Sequence, residues 1–178
     1  ANTELMRRLS NQLYGGDQSY RLMQEAVLGL GGVLWLKKLQ LLMPADRSIL
    51  CHMNEGHAAL LTLGLLEHFS ASSDERNWGQ YLETVKENCI FTTHTPVQAG
   101  HDRFEYELVQ KVLGDSKTSF LQNIPMDSDG GLNMSKLAIF FARFINGVAK
   151  RHGEVSNSMF PGAGVQAITN GVHAKTWL

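Results

Sequence analysis

Three polar clusters stand out along this sequence, each placed directly behind an apolar run. His52, Asn54, Glu55 and His57 follow Ile49-Leu50-Cys51. Thr92, Thr93, His94 and Thr95 follow Cys89-Ile90-Phe91. Thr169, Asn170 and His173 follow Val165-Gln166-Ala167-Ile168. Imidazole, carboxamide and hydroxyl groups donate and accept hydrogen bonds without carrying a fixed charge. A site built from them suits a hydroxyl-rich ligand such as a sugar. A phosphate cradle fits less well, because neither G-x-G-x-x-G nor G-x-x-x-x-G-K-[ST] occurs. A metal centre is also a weaker reading. His52, Glu55 and His57 are spaced H-x-x-E-x-H, which matches neither the H-E-x-x-H helix motif nor its inverse. His52 would lie on a strand and His57 on a helix, so the ligands would not share one face. A pair of carboxylates flanking a glycosidic bond, as hydrolases use, is not evident.

The elements that must position these clusters alternate between helix-length and strand-length segments. Leu22, Met23, Ala26, Val27, Leu30, Val33 and Leu36 recur at a helical period, so residues 19–40 are expected to form one long helix. Its glycines, Gly29, Gly31 and Gly32, cost propensity and are expected to permit close packing. Pro44 and Asp46 should end it. A strand is expected over 48–53, then a helix over 55–69 with Asn54 as its N-cap. Residues 70–74 read as a loop and 78–87 as a helix. The second strand is 89–93, followed by a loop over 94–101 and a helix over 102–113. Residues 115–131 read as a loop. Leu137, Phe140, Phe141, Phe144, Ile145 and Val148 predict an amphipathic helix over 133–151. A helix over 154–160 and a third strand over 165–169 complete the pattern. Short apolar strands separated by helices indicate an α/β fold, a parallel sheet with helical crossovers. In such sheets all strands point one way, so the three clusters share the carboxyl edge, where these folds bind ligands. Taken singly, His52, His68 and His152 read as structural histidines, and Asn170-Gly171 as a common turn pair.

The chain has 178 residues, enough for one domain or a large piece of one. Charged residues make up 19%, below the usual ~25%, which argues against disorder. With 16 Lys and Arg against 17 Asp and Glu, the net charge is −1, so nothing favours a nucleic-acid backbone. Cys51 and Cys89 sit in apolar runs and read as buried thiols of a reducing, cytoplasmic setting. The near-apolar stretch 26–36 is too short to cross a membrane, and the opening residues do not read as a signal peptide. Ala1 and the apolar ending Thr176-Trp177-Leu178 suggest a segment of a longer protein.

Five blocks, taken in order, resemble the α-glucan phosphorylase family, its shorter bacterial kind in particular. They are Leu13-Tyr14-Gly15-Gly16-Asp17 with Arg21-Leu22-Met23-Gln24-Glu25; His52-Met53-Asn54-Glu55-Gly56-His57-Ala58-Ala59; Thr92-Thr93-His94-Thr95-Pro96 with Ala99-Gly100-His101-Asp102-Arg103-Phe104; Asn146-Gly147-Val148 with His152-Gly153-Glu154; and Ile168-Thr169-Asn170-Gly171-Val172-His173 with Trp177. The resemblance implies that residues 1–178 are the latter part of the first of two Rossmann-like domains, in a GT-B glycosyltransferase. It implies transfer of a terminal glucosyl unit of an α-1,4-glucan to orthophosphate, giving glucose 1-phosphate with retention. It also implies pyridoxal phosphate as cofactor, with its lysine in the second domain and outside this chain.

Carried over position by position, His94 matches the histidine that binds the glucosyl primary hydroxyl and whose carbonyl faces the anomeric region. Asn170 matches the asparagine that holds the same sugar. Glu55 and His57 match an acid and a histidine lining the pocket beside the anomeric carbon. The chain alone is expected to be inactive, and its uncovered sheet edge is expected to let copies associate. Two rival readings remain: a non-catalytic carbohydrate-binding module, and a metal-dependent hydrolase using His52, Glu55, His57 and His94.

Overall fold

Register decides which side chains the strands bring together. In the computed structural model, which describes residues 2–12, 15–42, 49–71, 78–124 and 130–177, the strands and helices run as follows. α1 (Glu4–Arg8), α2 (Gln18–Ala26) and α3 (Gly32–Lys38) lead into β1 (Cys51–Asn54), α4 (Leu61–Ser70) and α5 (Trp78–Glu87). β2 (Cys89–Thr93), β3 (Arg103–Glu105), α6 (Tyr106–Leu113), α7 (Asp115–Asn123), β4 (Gly131–Asn133) and α8 (Met134–Phe140) follow. β5 (Phe144–Gly147), α9 (Lys150–Met159), β6 (Gln166–Ala167) and α10 (Ala174–Trp177) complete the chain.

β1, β2, β5 and β6 form one parallel sheet in that order. Cys51 lies beside Cys89, Met53 beside Phe91, and Phe91 beside Ile145. These side chains are buried on one face, with Leu60, Leu63, Leu65, Leu137 and Phe141 in the same core. Burying each large apolar side chain contributes about 1.5–3 kcal/mol. The α/β class and helical crossovers expected from the sequence are thus observed. β3 and β4 pair separately and antiparallel, Phe104 opposite Leu132.

Several expected elements are corrected. The helix expected over 133–151 is instead β4, α8, β5 and the start of α9. Its apolar residues fit a helical period locally. Pairing of Ile145 and Asn146 with Phe91 and Thr92 of β2 overrides that preference and places a strand at the centre of the sheet. Within 102–113, Arg103–Glu105 is strand, because it pairs with β4, and the helix begins only at Tyr106. Residues 115–123, expected as loop, form α7 on an amphipathic pattern that buries Thr118 and Leu121. The helix expected over 55–69 opens as a 3₁₀ turn, Gly56–Ala58, before α4. The third strand shrinks to Gln166–Ala167, although Ile168 still donates to the Gly147 carbonyl at 2.9 Å.

The long first helix is continuous through a π turn at Val27–Gly31. Gly29 packs as expected: a Cβ there would lie 2.5 Å from the Leu61 nitrogen. Gly32 faces open space instead, so it is not a packing glycine. The expected helix stop at Pro44 and Asp46, the Leu13-Tyr14 pair, the first residue of the 48–53 strand and parts of the 70–74 and 115–131 loops lie outside the described residues.

Candidate functional site

β2 ends with Thr93 fully buried and His94 exposed at the carboxyl edge. β1 ends beside it, and the Glu55 N–H continues the ladder by donating to the Thr92 carbonyl at 2.9 Å. The chain then turns sharply, and Glu55 adopts φ 69°. A residue with a side chain held there costs on the order of 1–3 kcal/mol. The Glu55 carboxylate offsets that cost with its own bonds. Oε1 accepts from the His94 backbone N–H, from the Thr95 hydroxyl at 3.1 Å and from the Thr93 hydroxyl at 3.4 Å. Oε2 accepts from the Gly56 N–H at 3.4 Å. Glu55 therefore braces the turn that carries His94.

The His94 ring is held too, with Nε2 2.9 Å from Asn54 Oδ1. Asn54 ends β1 and does not cap a helix, so its expected capping role is corrected. The strand ladder keeps its backbone extended, and its side chain faces the neighbouring strand's loop.

Asn170 is exposed in the segment after β6, where its N–H donates to the Val148 carbonyl at 3.0 Å. The parallel order β1-β2-β5-β6 puts Asn170 and His94 on the same edge, with β5 between their strands. His57 is half-buried and goes elsewhere. It lines a cavity of about 420 Å³ with Arg21, Gln24, Glu25 and Asp102.

A polar string crosses three strands below the edge. The Thr92 hydroxyl donates to Asn146 Oδ1 at 2.8 Å, and His52 Nε2 lies 2.7 Å from the same hydroxyl. A hydroxyl that donates once must accept the second bond, which puts the His52 proton on Nε2. Thr92 and Asn146 are buried, and the sequence reading, which placed Asn146 in a helix, did not put it beside Thr92. His152 also has a structural bond, accepting at Nδ1 from the Val148 N–H at 3.2 Å.

Two further groups escaped the sequence reading. His101 is buried, with Nδ1 2.7 Å from Ser135 Oγ. Burial holds its ring below the ordinary histidine range, against the raising effect of nearby Glu55. Glu25 is buried in α2, and burial followed by the neighbouring charge of Asp102 pushes its carboxyl up to about 9. Asp102 in turn pairs with Arg21. The signal available in sequence was slight: each residue stands inside a recognisable block, but its partner lies in a different one.

Among the described residues, no three His, Cys, Asp or Glu side chains are placed to hold a metal ion. His52, Glu55 and His94 each bond a different partner. Cys51 and Cys89 are free, buried and in register, and burial raises both thiols, Cys89 to about 12. No helix among the described residues is long and apolar enough to cross a membrane.

A parallel α/β sheet whose carboxyl edge presents a braced histidine and a polar rim has that rim where such sheets bind ligands. No family model matches the chain. It is 34% identical, over 99% of its length, to a glycogen phosphorylase of Mycobacterium tuberculosis (strain ATCC 25618 / H37Rv). It is 34% identical over 97% to a maltodextrin phosphorylase of Thermococcus litoralis, and 30% identical over 99% to a glycogen phosphorylase of Aquifex aeolicus. It spans 23%, 21% and 27% of those proteins, about a quarter of their length. The chain thus matches a fragment of a member of the glycogen and maltodextrin phosphorylase family, as the five sequence blocks implied. Glycogen phosphorylases are glycosyltransferases, and this chain matches only part of one.

Proposed function

We propose that this chain forms the sugar-holding wall of an α-glucan phosphorylase, as the latter part of one Rossmann-like domain in a longer, cytoplasmic protein. The reaction is transfer of a terminal glucosyl unit from an α-1,4-glucan to orthophosphate, giving glucose 1-phosphate. The observation that supports it best is the bracing of the His94 turn by Glu55 on the edge that also carries Asn170.

In this reading Asn54 orients the His94 ring through Nε2–H, which leaves Nδ1 as an acceptor for a sugar hydroxyl. Asn170 holds another hydroxyl of the same glucosyl unit. The peptide after His94 is bracketed by two groups bonded to Glu55, the His94 N–H and the Thr95 hydroxyl. Its carbonyl dipole is thereby fixed before the substrate arrives, ready to face positive charge developing at the anomeric carbon. Glu55 acts through this turn, and His57 through the wall of the adjoining cavity.

Pyridoxal phosphate, the cofactor of the family, supplies a proton donor and acceptor through its phosphate group. It needs a lysine amine, and among the described residues lining the cavity that holds His57 there is no lysine, while Lys86 lines a second cavity of similar volume beside Glu83 and Phe140. Lys117 lines a separate small cavity and is paired with Glu67 at 2.6 Å. In this reading the cofactor's lysine lies outside this chain, in the second domain of the longer protein.

The test is phosphorolysis of maltodextrin by the longer protein carrying His94→Ala or Asn170→Ala. Each should lower kcat/KM roughly ten- to a hundredfold, the equivalent of ~1.5–3 kcal/mol of transition-state binding. Unchanged kcat/KM in both would remove the reading. Glucan binding without turnover in the unaltered protein would favour a carbohydrate-binding module.

A further inference from the structure

We propose that His101 is a positioning residue for the reaction: through Ser135 it holds the floor on which the Glu55 turn rests, and so fixes the main chain at His94. The inference rests on the reading of His94 as the sugar-facing residue.

The chain of contacts is short. Glu55 is held at φ 69° and satisfies three donors of the 93–95 turn through one oxygen. A small shift of its backbone would therefore break several bonds together. Gly56, the next residue, is buried against α8: a Cβ added there would lie 2.8 Å from Ser135 Oγ and 3.0 Å from the Ser135 nitrogen. Ser135 thus occupies the space beside Gly56, and the backbone that follows Glu55 packs against it with no room for a side chain between them. A serine hydroxyl in the first turn of a helix can rotate among three staggered positions. His101 Nδ1, 2.7 Å away, selects one of them. Ser135 is 1% exposed and His101 8%, so water does not compete for this bond.

His101 is itself well seated. Its ring meets Phe160 edge to face, with centroids 5.1 Å apart, and its backbone N–H donates to the Gln98 carbonyl at 3.2 Å. It also ends the loop that His94 begins. The two ends of loop 94–101 are therefore tied to one support, the first through Glu55 and the last through Ser135. Burial keeps the imidazole neutral, so the hydrogen bond is one between neutral groups and is sensitive to geometry rather than to salt.

The experiment uses the longer protein, with maltoheptaose and orthophosphate as substrates. His101→Leu keeps an apolar ring-sized body against Phe160 but removes the bond to Ser135. It should lower kcat about tenfold, with KM for orthophosphate and Tm little changed, because misplacing a group costs rate before it costs fold. His101→Asn can place a polar atom near the former Nδ1 position and should restore most of the rate. Ser135→Ala should reproduce the loss, and the double variant His101→Leu with Ser135→Ala should be no worse than the poorer single variant. A folded Ser135→Ala with kcat within twofold of the parent would overturn the proposal, whatever happens to the folding of the His101 variants. Equal losses in His101→Leu and His101→Asn would overturn it too. His94→Ala is the control: if that variant keeps full activity, the reading of the site falls and this proposal with it. If His94→Ala is impaired while Ser135→Ala is not, only this proposal falls.

Discussion

Glu55 and Glu25 carry the same carboxyl group into opposite surroundings. Glu55 sits half-buried at the sheet edge among donors: one backbone N–H and two threonine hydroxyls converge on a single oxygen. Glu25 sits 4% exposed in α2 and faces a second acid, Asp102, which pairs with Arg21, one turn earlier on the same helix. Donors make the first a brace for a loop. Burial beside an acid makes the second a proton holder, its carboxyl pushed up to about 9 by desolvation and then by Asp102. Which donors surround a glutamate, rather than how conspicuous it is in sequence, decides whether it can organise a site.

The comparison breaks most visibly at Glu55. Replacing it with alanine removes the acceptor for three donors, one of them the N–H of His94. In the longer protein Glu55→Ala should lower kcat/KM for phosphorolysis about a hundredfold, and Glu55→Gln, which keeps one acceptor oxygen, should lose less. Steady-state rates decide it. A rate within threefold of the parent for Glu55→Ala would mean that the carboxylate braces nothing that matters.

At Glu25 the expected effect is smaller and shows in stability. The folded chain holds a proton at Glu25 up to about pH 9, while the unfolded chain releases it near the ordinary carboxyl value of 4.5. The folded state therefore binds more protons across that window. Its contribution is full below about 4.5 and declines as pH rises toward 9. Glu25→Gln presents an amide that donates to Asp102 as the protonated acid does. Its Tm should fall less than the parent's between pH 5 and pH 9. The gap should widen steadily across that range and reach at least ~2–4 °C, the equivalent of about 1 kcal/mol for a chain of this size. Parallel Tm curves would show that Glu25 is ionised in the fold.

Much of the edge was legible because it is local. An apolar strand followed at once by His, Asn, Glu or Thr announces a carboxyl-edge cluster wherever the sheet is parallel, and His94, Glu55 and Asn170 all stood out that way. What the sequence could not show depended on pairing across the chain. β5 satisfies a helical period on its own, and only its register with β2 makes it a strand. That His57 lines a cavity with Arg21, Glu25 and Asp102 depends on residues from other segments, which its place in the polar cluster does not reveal. Glu25 and Asp102, or His101 and Ser135, are unremarkable alone and acquire a role only by meeting.

The central claim is that the segments ending β2 and β6 hold one sugar between them. A crystal structure of the longer protein with a bound maltooligosaccharide tests it most directly. The account requires hydroxyls of a single terminal glucosyl ring within hydrogen-bonding distance, roughly 2.6–3.2 Å, of both the His94 imidazole and the Asn170 carboxamide. A ring bound elsewhere, or touching only one of the two, would contradict it.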